Sequence, residues 1–140
     1  MPVPAGERGL LPTPELAEVD QRRIDRARRL AEQRSGLTFA VHIGLADTTP
    51  RRTALRLLGE LDDPERSVVV LCDPAQRALE IVTGEQSRRV LDDYACRLAA
   101  ASMQGNLAAG DITGGLVAGL VQLGQAASRP RTLHLDRSTG

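Results

Sequence analysis

Lysine is absent from this 140-residue chain; all 18 basic residues are arginine. That excludes Schiff-base catalysis and a phosphate loop built around a lysine. Tryptophan is absent too, and Phe39 and Tyr94 are the only aromatic residues. A nucleic-acid binder that stacks bases on aromatic rings is therefore not expected. Net charge is lacking as well: 18 acids balance 18 bases. Bulk attraction to phosphate backbones or anionic membranes has no basis in such a chain. Only two cysteines occur, Cys72 and Cys96, and neither has a Cys or His neighbour at metal spacing. Two buried, reduced thiols are expected rather than a disulfide. No apolar run approaches a membrane span, and the opening residues lack the apolar stretch of a signal peptide. The expected setting is the cytoplasm.

What is present is a core. Two fifths of the chain is apolar and nearly all of that is aliphatic, enough for one α/β domain. Residues 1–12 carry three prolines and two glycines and read as a flexible lead-in. Thr13-Pro14-Glu15 has the signature of a helix start. The helix that follows has Leu16, Val19, Ile24, Ala27, Leu30 and Ala31 as its apolar stripe, with Arg22, Arg26 and Arg29 on a solvated face. Residues 37–45 alternate large apolar residues with small or polar ones and predict a strand. Asp47-Thr48-Thr49-Pro50 predicts a second helix start, and Ala54, Leu57, Leu58 and Leu61 its buried side.

Ser67–Asp73 is an unbroken apolar run ending in an acid, followed by Asp-Pro and a second run to Gly84. This predicts a buried strand feeding a hairpin. A third helix is expected from about Ser87 to Met103, with Leu91, Tyr94, Ala95, Leu98 and Ala101 inward and a break at Gln104-Gly105-Asn106. A last helix starts near Asp111, and Gly115 and Gly119 on it predict close helix packing. Residues 13–127 thus form the domain, and 128–140 a polar tail in which residues 132–135 are a candidate edge strand. The expected fold is a three-layer α/β/α sandwich on a small mixed sheet, in the order α-β-α-β-β-α-α.

In such a sheet, ligands gather beyond the carboxyl ends of the parallel strands. Asp47 follows the first strand, Asp73 ends the second, and the third helix should return Asp111 to the same edge, with Arg77 across the hairpin turn. Three carboxylates at one rim would repel unless a hard cation joined them, which makes Ca²⁺ or Mg²⁺ the candidate cofactor. Each acid also has an ordinary role in a cap or turn. Asp92 and Asp93 read as solvated partners of Arg88, Arg89 or Arg97, and His42 as a packed strand histidine. There is no Ser- or Cys-centred nucleophile motif, no zinc-hydrolase motif and no glycine-rich phosphate loop.

The series VVVLCDPAQRALEIVTG, then VLDD, then AGDITGGL, resembles the TPM domain from about Thr38 to Ala127, closest to its actinobacterial members without an assigned role. The resemblance implies an α/β/α sandwich. Some TPM members are acid phosphatases with an acidic, cation-binding site; others are accessory or assembly factors for membrane complexes. The acids that match are Asp73, Asp93 and Asp111, together with Arg77 and Gly84. The chain departs from the pattern at Arg66-Ser67, where Asn-Gly is usual, at the single Gly84 before Glu85, and in lacking a leader and an anchor. Two functions follow as expectations. One is a weak metal-assisted phosphomonoester hydrolase in which Asp73, Asp93 and Asp111 hold the cation, Arg77 binds phosphate and a bound water attacks. The other is a non-catalytic module that holds a protein partner at the rim or on the Arg-rich first helix.

Overall fold

The computed structural model describes residues 16–128. The expected lead-in, the Thr13-Pro14-Glu15 helix start, and residues 129–140 of the tail with its candidate strand lie outside the described residues. The elements are α1 (Glu18–Ser35), β1 (Thr38–Ile43), α2 (Pro50–Gly59), a 3₁₀ turn (Pro64–Arg66), β2 (Ser67–Asp73), β3 (Ala78–Thr83), a one-turn α3 (Ser87–Val90), α4 (Asp93–Ala108) and α5 (Ile112–Ser128). The expected order holds, with the third helix divided into α3 and α4.

The sheet has the order β1-β2-β3. β1 and β2 are parallel, from Thr38 opposite Ser67 to Ile43 opposite Cys72. β2 and β3 are antiparallel, from Val68 opposite Thr83 to Asp73 opposite Ala78. β2 is the centre of the molecule, and each of its seven residues is buried. Its side chains alternate between two layers, as strand geometry requires. Val68, Val70 and Cys72 join Phe39, Ile43 and the inner faces of α1, α4 and α5 in the main core. Val69 and Leu71 meet Ala54 and Leu58 of α2, with Val82, in a smaller core on the other face. A strand buried on both sides has no polar alternation, which is why Ser67–Asp73 reads as a continuous apolar run.

Local chemistry sets the element ends. Thr49 caps α2: its hydroxyl accepts from the Arg52 N–H at 3.3 Å, with Pro50 opening the helix. Asp92 caps α4, its carboxylate accepting from the Ala95 N–H at 2.9 Å. Leu91, fully buried and extended, separates α3 from this cap. Gly84 sits where the sheet meets the 3₁₀ turn, and a Cβ there would overlap the carbonyl oxygen of Pro64. Among the described residues, no helix is long and apolar enough to cross a membrane.

Two sequence expectations about the helices are corrected. The break at Gln104-Gly105-Asn106 is not one, because α4 runs through it to Ala108. The inward stripe of α4 is also different. Cys96, Ala99 and Met103 are buried, whereas Tyr94 is 65% and Leu98 48% exposed. The reason lies across the interface, where Gly115 and Gly119 of α5 bring the two helices close together. A Cβ at Gly119 would overlap the Met103 side chain. The missing Cβ at Gly119 makes room for Met103, so α4 is turned with Cys96, Ala99 and Met103 inward and Tyr94 and Leu98 outward. On α1 likewise, Ile24, Ala27 and Ala31 are buried while Val19 and Leu30 are exposed.

Candidate functional site

The rim at the carboxyl ends of β1 and β2 is held together by Asp73. By strand alternation its side chain points toward the α2 layer, and it is fully buried. Oδ1 accepts from the N–H groups of Ala75 (3.1 Å) and Gln76 (3.3 Å) in the hairpin turn. Oδ2 accepts from the Ala46 N–H (3.0 Å) and the Gln76 amide (2.6 Å). One carboxylate thus shapes its own turn and ties it to the β1–α2 loop. An Asp before Pro at a hairpin suits this role because its side chain reaches backbone donors two and three residues on.

Asp47 lies beside it in that loop. It accepts from the Thr53 hydroxyl (2.9 Å) and pairs with Arg56 (2.9 Å). His42, half-buried on β1, faces the same group of charges. Burial, and then the Arg56 guanidinium, lower its pKa, while Asp47 and Asp73 oppose the shift more weakly. The balance favours the neutral imidazole, in keeping with a packed strand histidine. Arg77 sits on the exposed tip of the hairpin in a left-handed conformation, φ 52°, its N–H donating to the Pro74 carbonyl at 3.2 Å. That completes the turn; the residue is exposed, and among the described residues its guanidinium makes no ion pair with the enclosed Asp73 carboxylate.

The other acids are elsewhere. Asp111 lies just before α5, its Oδ1 accepting from the Gly114 N–H at 2.9 Å. It shares a shallow recess of about 260 Å³ with Leu16, Asp20 and Arg23 at the start of α1. α1 and α5 cover the sheet face opposite α2, so Asp111 is on the far layer from Asp73. Asp93 opens the helix whose far end leads to Asp111. The 16 residues of α4 put roughly 24 Å between them. The structure therefore pairs Asp47 with Asp73 at the rim, and leaves Asp93 and Asp111 each apart. Among the described residues, no group of three or more His, Cys, Asp or Glu side chains could hold a metal ion. Nor do Asp92 and Asp93 form the expected ion pairs with Arg88, Arg89 or Arg97 among the described residues; they serve the α4 start instead. The rim does include groups that the sequence reading left out: Thr53, Arg56 and Gln76. A hydroxyl one turn into α2 and an arginine one turn further are the spacing that lets both reach Asp47.

The two thiols are inert by position. Burial, reinforced by Asp73 for Cys72 and by Asp93 and Asp92 for Cys96, pushes both up to about 11 from an ordinary 9.0. Between those values the folded protein holds protons that the unfolded chain has released. The associated stability is complete below pH 9.0 and lost as pH climbs toward 11. Thiol titration with an aromatic disulfide at neutral pH should accordingly be slow in the native protein and rapid once denaturant is added. Prompt labelling of the native state would contradict the enclosed positions of Cys72 and Cys96.

An α/β/α sandwich whose rim acids are spent on loop geometry defines a fold class, not an enzyme class. The chain belongs to the family described as a domain of unknown function, DUF5130, whose model matches residues 9–124. The TPM assignment is thereby corrected. The motifs that suggested it are local devices: an Asp-Pro hairpin turn, an Asp helix cap, and an Asp before the last helix. They arise wherever the same turns and caps form. The fold is similar to that of the BA42 protein of the psychrophilic bacterium Bizionia argentinensis, solved by NMR, with a TM-score of 0.72, 19% identity and 81% of each chain covered. It is also similar to the N-terminal domain of the cg2496 protein of Corynebacterium glutamicum, with a TM-score of 0.69, 16% identity, and 85% of this chain and 80% of that one covered. At these identities the likeness is one of fold. Among curated proteins, none matches the sequence.

Proposed function

We propose that this domain is a non-catalytic protein-interaction module. The observation that carries the reading is the outer face of α4, where Tyr94 and Leu98 stand one turn apart, 65% and 48% exposed. The only tyrosine of the chain is placed in water rather than in the core. Aromatic and aliphatic anchors with charged neighbours, here Asp93 and Arg97, are the usual make-up of a contact surface. The expected partner presents an apolar side chain to this stripe and polar groups around it. The metal-assisted hydrolase draws less support: Asp73 and Asp47 have their oxygens engaged, and Asp93, Asp111 and Arg77 are not gathered with them.

Crosslinking in the native host, followed by reconstitution with the purified captured protein, tests the proposal. Leu98→Glu should weaken that defined complex at least about tenfold without changing the fold, since Leu98 is on the surface. An unchanged affinity would rule out this face. The hydrolase is checked in parallel with p-nitrophenyl phosphate in the presence of Ca²⁺ or Mg²⁺. No turnover is expected. Metal-dependent turnover that disappears in folded Asp47→Asn or Asp111→Asn would replace the interaction reading with an enzymatic one.

A further inference from the structure

The two edges of the sheet are treated differently. At the β1 edge the backbone of Phe39 is already occupied: its N–H donates to Glu32 Oε2 at 2.9 Å, and its carbonyl accepts from Arg28 Nη1 at 3.2 Å. Arg28 is itself fixed by Asp25 and Glu32. Charged side chains from α1 thus occupy the edge at Phe39, near the start of β1, one of the ways in which proteins hinder strand addition.

Among the described residues, the β3 edge has no such cover. The Gly84 N–H donates to the Ser67 carbonyl at 3.0 Å, which fixes the alternation along the antiparallel pair. Glu80 and Val82 bond toward β2, and Leu79, Ile81 and Thr83 direct their N–H and C=O groups outward. Among the described residues none of these outward groups has a hydrogen-bond partner. Along this edge runs an open groove of about 390 Å³ with Leu79, Ile81, Cys96 and Ala100 as its apolar lining. Its charged residues are two bases, Arg51 and Arg97, and two acids, Glu80 and Asp93.

We propose that this protein forms a two-fold dimer in which β3 pairs antiparallel with β3 of a second copy, joining two three-stranded sheets into one. The occupant is a second copy because the edge is complementary to itself. The outward positions are symmetric about Ile81, so a two-fold axis there sets Ile81 opposite Ile81, and Leu79 opposite Thr83, in both directions. Each pair exchanges two backbone bonds. The groove's charges cancel, two against two, so like surfaces meet without net repulsion. A two-fold interface needs this self-complementarity. The strand also brings its own apolar face, with Leu79 and Ile81 on the α4 side and Glu80 on the α2 side, close to Arg51 at 3.6 Å. This inference goes beyond the interaction module and does not depend on it. On α4 the groove takes Asp93, Arg97 and Ala100, whereas Tyr94 and Leu98 lie further round the helix.

Sedimentation equilibrium of the full chain tests it. The mass should rise with concentration from 15.0 kDa to twice that value. Ile81→Pro removes an N–H that has no partner among the described residues and should raise the dimer dissociation constant at least about tenfold. Ile81→Lys is the second variant, placing a charge on the edge; both are checked for fold by circular dichroism. Hydrogen exchange should show protection of the Leu79, Ile81 and Thr83 amides that grows with protein concentration. A single 15.0 kDa species up to about 1 mM overturns the proposal. So does a dimer unaffected by folded Ile81→Lys, or edge amides protected to the same degree at every concentration, which would mean that the chain covers its own edge. Leu98→Glu should leave the dimer intact, so the two surfaces are judged separately.

Discussion

Replacing Asp73 with alanine should lower the melting temperature by about 10 °C. The carboxylate is fully buried and accepts four hydrogen bonds, three from backbone N–H groups and one from the Gln76 amide. Bonds to an ionised acceptor are the stronger kind, at about 1.5–3 kcal/mol each, but the contributions are not independent. Ala75 and Gln76 are exposed, so water replaces much of what their N–H groups lose. The bond across to Ala46 has no such substitute, because it joins two loops. A net loss of about 3 kcal/mol is the result, and for a domain of this size each kcal/mol is worth about 3–4 °C. Asp73→Asn keeps the shape and one good acceptor, but turns an amide N–H₂ toward backbone donors. It should cost less than alanine and still clearly destabilise. Calorimetry or circular dichroism measures both. The direction is informative beyond stability: a carboxylate kept for a ligand is held at the expense of the fold, and its removal stabilises. An Asp73→Asn protein with a higher melting temperature would show that the acid is poised for something other than its turn.

The same residue shows how far the sequence could be read. Its position at the end of a buried strand followed from Ser67–Asp73 alone, because an apolar run of that length closed by Asp-Pro has few other conformations. The parallel crossover and the return of Asp111 to the same end of the molecule followed from element order. What sequence order does not carry is depth. A sheet has two faces, and whether two acids at one end share a face depends on the parity of one and on the layer of the other. Asp73 falls on the α2 side by alternation, and Asp111 on the opposite side because α5 packs against α1. Asp93 was excluded from the rim by the same topology that delivers Asp111, since the two stand at opposite ends of one helix. The stripe of α4 was misread for a different reason. Side-chain size does not by itself fix how a helix is turned, and here the missing Cβ at Gly119 gives the inward place to Met103. Gly115 and Gly119 are legible as a close-packing signal, but their spacing does not say which side chain of α4 fills the gap they leave.

Close approach also gives the second large effect, in which one substitution has opposite signs at two sites. Gly84→Ala should destabilise by about 3 kcal/mol, at the upper end for overpacking. The added Cβ would overlap the Pro64 carbonyl oxygen and lie 2.6 Å from that of Glu65. Both are backbone atoms in a turn that cannot swing aside. Its groups are bound in place: the Glu65 carbonyl accepts from the Gln86 N–H at 3.0 Å and the Ser87 hydroxyl at 3.1 Å, and the Asp63 carbonyl from the Ser67 hydroxyl at 2.6 Å. Relief requires moving the end of β3 away from the 3₁₀ turn, and with it the Gly84–Ser67 bond that closes the ladder. Gly105→Ala is the counterpart. That glycine lies inside α4, exposed, and a Cβ there meets nothing within 4 Å. The helix gains propensity and the unfolded chain loses freedom, so stability should rise by about 0.5–1 kcal/mol. Chemical denaturation of the two variants beside the parent measures both shifts. A neutral Gly84→Ala would mean that the 3₁₀ turn yields easily, and the tight junction beneath the sheet would then not be what fixes the start of α3. A loss at Gly105 would place a further surface against that side of α4 in solution, where the described residues leave it open.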